Sequence, residues 1–302
     1  MSENSLLQKN ISLKKLNWWK VGGEAEYFAA PENLEDLKSV YGEALKNKWP
    51  VHILSGGSNI LVKEGLIKGL VLSLHALKGV ISQNQVNGRL EVVAWAGAPK
   101  AEVARVFMQN KLAPAVFMTG IPGDLGGGVV MNAGVGEAIR PREFCEIVDW
   151  IEVLRPDLNL EKIESSKIKW EYRHTSGWQP GIIVRVGLGW TLEPDAEVLN
   201  NVRKATQKRV QSQPLDMPSG GSTFQNPPGE KAARLIDQCG LKGRRVGGAS
   251  VSTKHANFIV NDQNAKADDI LALIKEVQNE VKVQKSISLQ TEVILFGGWE
   301  HK

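Results

Sequence analysis

Apolar positions at Leu34, Leu37, Tyr41, Ala44 and Leu45 fall on one helical face behind Asn33, a residue type that caps helix N-termini. A strand, Val51–Leu54, follows at once. The period then shortens. Leu70–Leu74, Leu90–Ala96, Ile147–Leu154 and Ile182–Trp190 alternate or cluster β-branched residues, as strands do, and Lys100–Gln109 between them has helical spacing. In the final third the pattern lengthens again: Glu230–Cys239 predicts a helix stopped by Gly240, and Ala267–Val281 a longer one with Ile270, Leu273, Ile274, Val277 and Val281 on its face. Gln207–Pro218, polar and carrying Pro214 and Pro218, reads as a linker, and Glu292–Phe296 as a last strand. The pattern alternates helices and strands, without an internal repeat.

Composition narrows this picture. At roughly 150 residues per domain, 302 residues suggest about two domains, and 42% hydrophobic content is enough for a real core. Lys and Arg number 37 against 33 Asp and Glu, a net +4 that is too slight to argue for nucleic acid. Met1–Trp19 lacks the apolar core of an export signal and no run approaches eighteen apolar residues, so neither export nor a membrane span is expected. Cys145 and Cys239 form no disulfide framework and are expected to be buried small hydrophobes in a reducing cytoplasm. No histidine pair or cysteine pair has metal-ligand spacing, so no metal site is expected.

Three glycine-rich segments carry the candidate chemistry. Ser55-Gly56-Gly57-Ser58-Asn59 sits between strands, where glycines let successive amides converge on an anion; an ordinary hairpin turn is the alternative. Gly120-Ile121-Pro122-Gly123-Asp124-Leu125-Gly126-Gly127-Gly128 holds five glycines in nine residues and runs on to Asn132-Ala133-Gly134. A helix or core strand there is not expected at ordinary cost, since each interior glycine loses roughly 0.5–1 kcal/mol against alanine. Close approach of a flat or anionic ligand to the backbone would compensate. Neither segment is a Walker A loop or the Gly-x-Gly-x-x-Gly of a Rossmann unit, so any dinucleotide is held by another fold. The third, Gly220-Gly221-Ser222-Thr223-Phe224-Gln225-Asn226, puts Ser222 on a constrained loop without the elbow of a hydrolase serine. Arg173, among Trp170, Tyr172 and Trp178, suits a carboxylate or phosphate, and Glu292 opens an otherwise apolar strand; surface roles are the alternative for both.

In order, Asn17-Trp18-Trp19-Lys20-Val21-Gly22-Gly23, Ile53–Leu61, Gly120–Gly123, Met131–Gly134, Tyr172-Arg173, Gly221–Pro227, Gly240–Gly243, Gly247–Ala249, His255–Asn261 and Glu292-Val293 resemble the UDP-N-acetylenolpyruvoylglucosamine reductase (MurB) family. The resemblance spans about Asn17 to Phe296. It implies a vanillyl-alcohol-oxidase/PCMH-type FAD-binding fold of two subdomains, 1–77 and 78–212, a smaller α+β substrate-binding domain, 213–287, and a terminal strand, 288–302, returning to the active site. It also implies reduction of UDP-N-acetylglucosamine enolpyruvate to UDP-N-acetylmuramate for peptidoglycan, by a cytoplasmic monomer using non-covalent FAD and NADPH. Hydride would pass from NADPH to flavin N5 and on to C3 of the enolpyruvyl group.

The flavin contacts of the family carry over to Ser55, Gly56, Gly57, Ser58 and Asn59, and to Gly120, Gly123, Asp124, Gly127, Asn132 and Gly134. Its proton donor corresponds to Ser222, its substrate-facing arginine to Arg173 and its C-terminal acid to Glu292, with Tyr172, Asn226 and His255 as substrate contacts. Ser222 would protonate C2 while Arg173 and Glu292 stabilise the enediolate. The chain departs from the family at Trp18, commonly Thr, at Gly128, often Ala, and at Gln225, usually Lys, which removes a cation near the expected substrate phosphates. Its three tyrosines, Tyr27, Tyr41 and Tyr172, leave none for the tyrosine-bearing lid of one subtype, so it resembles the compact subtype, with Arg244, Arg245 and His255 as candidates for closure.

Overall fold

The computed structural model describes residues 6–135 and 140–299. The chain forms two compact units, and it enters each of them more than once. One comprises Met1–Gln8, Phe28–Gly56 and Leu70–Lys208; the other comprises Lys9–Tyr27, Gly57–Gly69 and Arg209–Lys302.

The first unit begins its regular structure with helix Leu34–Lys46, whose predicted cap Asn33 accepts the Asp36 N–H, and strand Val51–Leu54 pairs in parallel with Leu70–Ser73. Its main sheet is antiparallel throughout, in the order Val80–Val86, Arg89–Trp95, Ile182–Thr191, Val148–Leu154, Leu160–Glu164. Alternate residues Leu90, Val92 and Ala94 turn inward, the period of two expected of a half-buried strand. Helices Lys100–Gln109 and Pro114–Thr119 supply Val103, Phe107 and Phe117 to the same core.

The second unit packs helices Ala232–Gln238 and Ala267–Lys285 with the antiparallel strands Arg245–Val246, Ala249–Val251 and Ile259–Asn261. The stripe Ile270, Leu273, Ile274, Val277 and Val281 is buried as its spacing predicts. Trp19 is fully buried in this core and donates its indole N–H to Ile259 O at 2.8 Å. Strand Ile60–Val62 pairs in parallel with Ile294–Phe296. No helix among the described residues is long and apolar enough to cross a membrane.

Several expectations are corrected. Residues 207–212 are not linker: helix Val198–Ser212 runs through them and ends before Pro214. Its apolar stripe is only Val198, Val202 and Ala205, so the polar face dominates the pattern although Lys, Arg and Gln are good helix formers. The last strand starts at Ile294, not Glu292. Cys145 and Cys239 are half-buried rather than buried.

The largest correction is that the glycine run does form a helix, Leu125–Val130. Tertiary bonds offset the glycine cost: Leu125 N–H donates to Ala98 O at 2.9 Å and Gly126 N–H to Ala96 O at 2.7 Å. Leu125 and Val129, four residues apart, are both buried on the core side. Gly128 packs so closely that a Cβ there would lie 2.6 Å from Phe144 Cζ. Phe144 is itself fully buried and edge-on to Phe117 at 5.3 Å between centroids. Gly128→Ala therefore gains about 1 kcal/mol of helix propensity and loses about 1–3 kcal/mol to overpacking. The midpoint of thermal unfolding should fall by a few degrees; an unchanged or raised midpoint would mean that Phe144 yields.

Candidate functional site

Strand Val51–Leu54 delivers Ser55 and Gly56 to the glycine turn of the first unit. There the two segments meet backbone to backbone: a Cβ on Gly56 would lie 2.9 Å from Gly123 Cα and 3.1 Å from Asp124 N, and one on Gly127 3.4 Å from Ser55 Oγ. Ser55 Oγ donates to Asp124 Oδ2 at 3.3 Å. The turn is fastened to the end of strand Arg89–Trp95 and the start of helix Lys100–Gln109, where Lys100 N–H donates to Gly123 O at 3.1 Å. The result is a close-packed backbone wall of Ser55, Gly56, Gly123, Asp124 and Gly127.

Asp124 is the charged group in that wall, and its side chain is only 2% exposed. His75 Nδ1 lies 2.9 Å from Asp124 Oδ2, and because the carboxylate only accepts, the imidazole donates. Lys100, 3% exposed, donates from Nζ to the Asp124 carbonyl at 2.9 Å. Burial pulls its ammonium down from 10.5 to about 7, with the Asp124 charge resisting. Sequence reasoning missed both His75 and Lys100. A signal existed for Lys100: it is in phase with Val103, Ala104 and Phe107, the buried face of its helix.

Further along, Asn132 is buried and its side chain acts as a clamp. Nδ2 donates to Glu143 Oε2 at 3.0 Å and to Glu171 O at 3.1 Å, while Oδ1 accepts the Cys145 N–H at 3.0 Å. Both amide protons are therefore taken by the protein. Glu171 ends the first strand of a hairpin, Lys169–Glu171 with His174–Ser176, whose two-residue tip is Tyr172-Arg173. Arg173 sits at φ 58, a left-handed backbone that a non-glycine residue adopts at a cost. Its guanidinium is 13% exposed, stacks on Tyr172 at 4.6 Å, lies 3.5 Å from Glu143 Oε1 and donates to Gly134 O at 3.3 Å. Gly134 has no Cβ because one would lie 2.8 Å from Arg173 Nη1. Gly120, also predicted, follows helix Pro114–Thr119.

The other predicted residues belong to the second unit: Gly57, Ser58, Asn59, Ser222, Asn226, His255 and Glu292. The Ser222 loop has little regular structure, and Asn257 replaces the missing ladder. Its Oδ1 accepts the Phe224 N–H at 2.9 Å, its Nδ2 donates to Phe224 O at 2.8 Å, and its carbonyl accepts the Thr223 N–H at 2.8 Å. On the opposite edge Glu292 N–H donates to Thr223 O at 2.8 Å. Ser222 and Glu292, 70 positions apart in sequence number, thus flank one backbone hydrogen bond.

Asn59, predicted as a cofactor contact, clamps that C-terminal segment. Its Nδ2 donates to Glu292 O at 3.1 Å and its carbonyl accepts the Ile294 N–H at 3.0 Å. Asn226 Oδ1 accepts the Ala232 N–H at 3.0 Å, fixing the start of helix Ala232–Gln238. His255 is half-buried and edge-on to Phe258; burial, and secondarily Lys242, hold its pKa below the usual imidazole value. Arg245 pairs bidentately with Asp262 at 2.7 Å, and Arg244 pairs with Glu276. Among the described residues no group of three or more His, Cys, Asp or Glu is arranged to hold a metal.

Two family profiles cover the glycine segments and the Ser222 loop. The profile of an FAD binding domain matches residues 25–163, and that of the UDP-N-acetylenolpyruvoylglucosamine reductase C-terminal domain matches residues 213–296. The UDP-N-acetylenolpyruvoylglucosamine reductase of Caldanaerobacter subterraneus is 35% identical over 96% of this chain and 94% of its own length. The Staphylococcus epidermidis enzyme of the same name is 36% identical over 97% and 95%. The crystal structure of MurB from Thermus caldophilus superposes with a TM-score of 0.78 at 30% identity, covering 96% of this chain and 99% of that one.

The buried lysine makes stability depend on pH with a definite sign. Between about 7 and the unfolded value of 10.5, the unfolded chain binds a proton at Lys100 that the folded chain does not. Folding free energy from this residue therefore improves as pH rises through that window, by about 1.4 kcal/mol per unit, and is constant below it. Lys100→Met removes the slope. Denaturant unfolding of both proteins from pH 6 to 10 should show the advantage of the variant shrinking with pH; a difference that does not change with pH would contradict the assignment.

Proposed function

The chain belongs to the UDP-N-acetylenolpyruvoylglucosamine reductase (MurB) family, oxidoreductases with an FAD-binding domain of the PCMH type, and on that premise we propose the reaction and the residues that perform it. The chain reduces UDP-N-acetylglucosamine enolpyruvate to UDP-N-acetylmuramate with NADPH, as a cytoplasmic monomer supplying peptidoglycan precursors. Residues 1–212 bind flavin through two subdomains, 1–77 and 78–212, residues 213–287 bind substrate, and 288–302 bring the terminal strand to the site.

The residues fit FAD. The FAD-binding profile over residues 25–163 covers the glycine turn, and a backbone wall kept bare of side chains at Gly56, Gly123 and Gly127, on a chain without a Rossmann fingerprint, suits a flavin dinucleotide. The proposed flavin contacts are Ser55, Gly56, Gly57, Ser58, Asn59, Gly120, Gly123, Asp124, Gly127, Asn132 and Gly134. No His or Cys occurs in Ser55–Asn59 or Gly120–Gly134, so the flavin is held without a covalent bond and acid precipitation releases it. The chemistry FAD supplies when bound is hydride transfer, from NADPH and on to C3 of the enolpyruvyl group.

The chain's own residues handle charge and protons. Arg173, braced by Glu143 and Tyr172, neutralises the substrate carboxylate into which negative charge spreads. Glu292 serves as a hydrogen-bonding acid for the same developing charge. Ser222 gives its hydroxyl proton to C2, a step open to so weak an acid because the enediolate is strongly basic. Tyr172, Asn226 and His255 bind the rest of the substrate. The observation that supports this reading is the Thr223–Glu292 backbone bond, which Glu292 donates to the residue next to Ser222.

Anaerobic stopped-flow mixing separates the half-reactions. Ser222→Ala should bleach with NADPH within about threefold of the parent rate and reoxidise with substrate at least ~100-fold more slowly. Glu292→Gln should follow the same pattern. Equal slowing of both halves would make Ser222 structural. Parent flavin that bleaches with NADPH yet never reoxidises with UDP-N-acetylglucosamine enolpyruvate would sink the reductase assignment, and rapid peroxide formation in air would mark an oxidase instead.

A further inference from the structure

Asp124 is out of place in a wall meant for a dinucleotide. A cofactor joined through a diphosphate brings its own negative charge, and a buried carboxylate beside it repels it in a medium of low dielectric. Yet Asp124 is held there by three contacts: Ser55 Oγ at 3.3 Å, His75 Nδ1 at 2.9 Å, and Lys100 Nζ on its carbonyl at 2.9 Å. Lys100 is as costly a choice as Asp124. An apolar side chain of similar length would complete the buried face of its helix without desolvating an ammonium. A buried cation kept at such a cost, next to a buried anion on the cofactor wall, points to a role in binding rather than in folding.

We propose that Lys100 is a positioning residue for the flavin: its ammonium offsets the charge of Asp124, beside the hydrogen bond from His75, so that the Ser55–Gly56 and Gly123–Gly127 wall admits a diphosphate-bearing cofactor. This rests on the FAD reading of that wall. His75, Asp124 and Lys100 are the charged or titratable groups that meet here, since Glu102 on the same helix turns its carboxylate to the Val80 N–H. His75 is 58% exposed and screened by water, so most of the compensation comes from Lys100. The lowered Lys100 value near 7 adds a consequence: alkaline solution withdraws its proton and leaves Asp124 uncompensated.

The test is FAD retention by the holoprotein, followed as flavin fluorescence released on dilution, with circular dichroism to verify folding. Lys100→Met should weaken FAD binding at least tenfold, and Asp124→Asn should strengthen it several-fold. In an Asp124→Asn background the effect of Lys100→Met should shrink to less than threefold. Independently of whether Lys100→Met folds, the parent protein should lose affinity about tenfold from pH 6 to 9, with a flatter profile in Asp124→Asn. Unchanged retention in Lys100→Met, or an equal loss with and without Asp124, would reduce Lys100 to a structural bolt and overturn the proposal. Weaker binding by Asp124→Asn would also overturn it, by making the Asp124 carboxylate favourable to the flavin. A parent protein that holds no FAD at all would instead overturn the underlying reading of the wall.

Discussion

Between Gly56 and Gly123 there is no space for a side-chain carbon, since a Cβ on the first would lie 2.9 Å from the Cα of the second. Much of the first unit follows from keeping those two backbones in contact. The parallel pairing of Val51–Leu54 with Leu70–Ser73 carries one of them to the meeting point. The other arrives on a turn fastened by Ala96, Ala98 and Lys100 backbone bonds to the end of the main sheet. The helix Leu125–Val130 then has to start at once and to be narrow, which is why it contains glycines that a free helix would reject. Close approach is the cause, and the glycine excess its trace in the sequence.

That approach creates an electrostatic problem as well as a steric one. With no side chains between the walls, the charge of Asp124 is not shielded by bulk, and its carboxylate is shut away from water. The structure meets this with partners rather than with distance. One is an exposed imidazole and the other a lysine buried on a helix face that would otherwise be apolar. A buried ammonium with one carbonyl partner lowers stability relative to an apolar residue. The arrangement is consistent with a fold that concedes stability where a ligand must be received.

How much of this was legible in the chain varied with the range of the forces involved. Asn33 capping Leu34–Lys46 and the stripe of Ala267–Lys285 are local, and their spacing gave them away. The Leu125–Val130 helix was not legible, because contacts to Ala96, Ala98 and Phe144 decide it and propensity argues the other way. Helix Val198–Ser212 hid for the opposite reason: its propensity is good but its apolar stripe is too thin to register. At the site, residue types and order pointed to Ser222, Arg173, Glu292 and both glycine segments. The cluster of His75, Lys100 and Asp124 joins three separate stretches, and of its members Lys100 alone had a local sign, a charge in an apolar phase.

The asparagines explain why irregular loops can hold chemistry at all. A loop lacks the ladder that satisfies backbone groups in helices and sheets, so a buried loop needs a side chain that both donates and accepts. Asn257 does this for Phe224, Asn132 for Glu171 and Cys145, and Asn59 for Glu292 and Ile294 through its amide and its own carbonyl. Beside the first two of these clamps stands a residue with a proposed chemical role, Ser222 and Arg173 respectively, while Asn59 grips Glu292 itself. The clamps Asn132 and Asn257 are buried, whereas Ser222, Arg173 and Glu292 keep partial access to solvent. A reactive side chain must reach its substrate and so cannot also anchor its own backbone. The anchoring falls to a neighbouring asparagine, whose side chain meets backbone groups that the loop would otherwise leave unpaired.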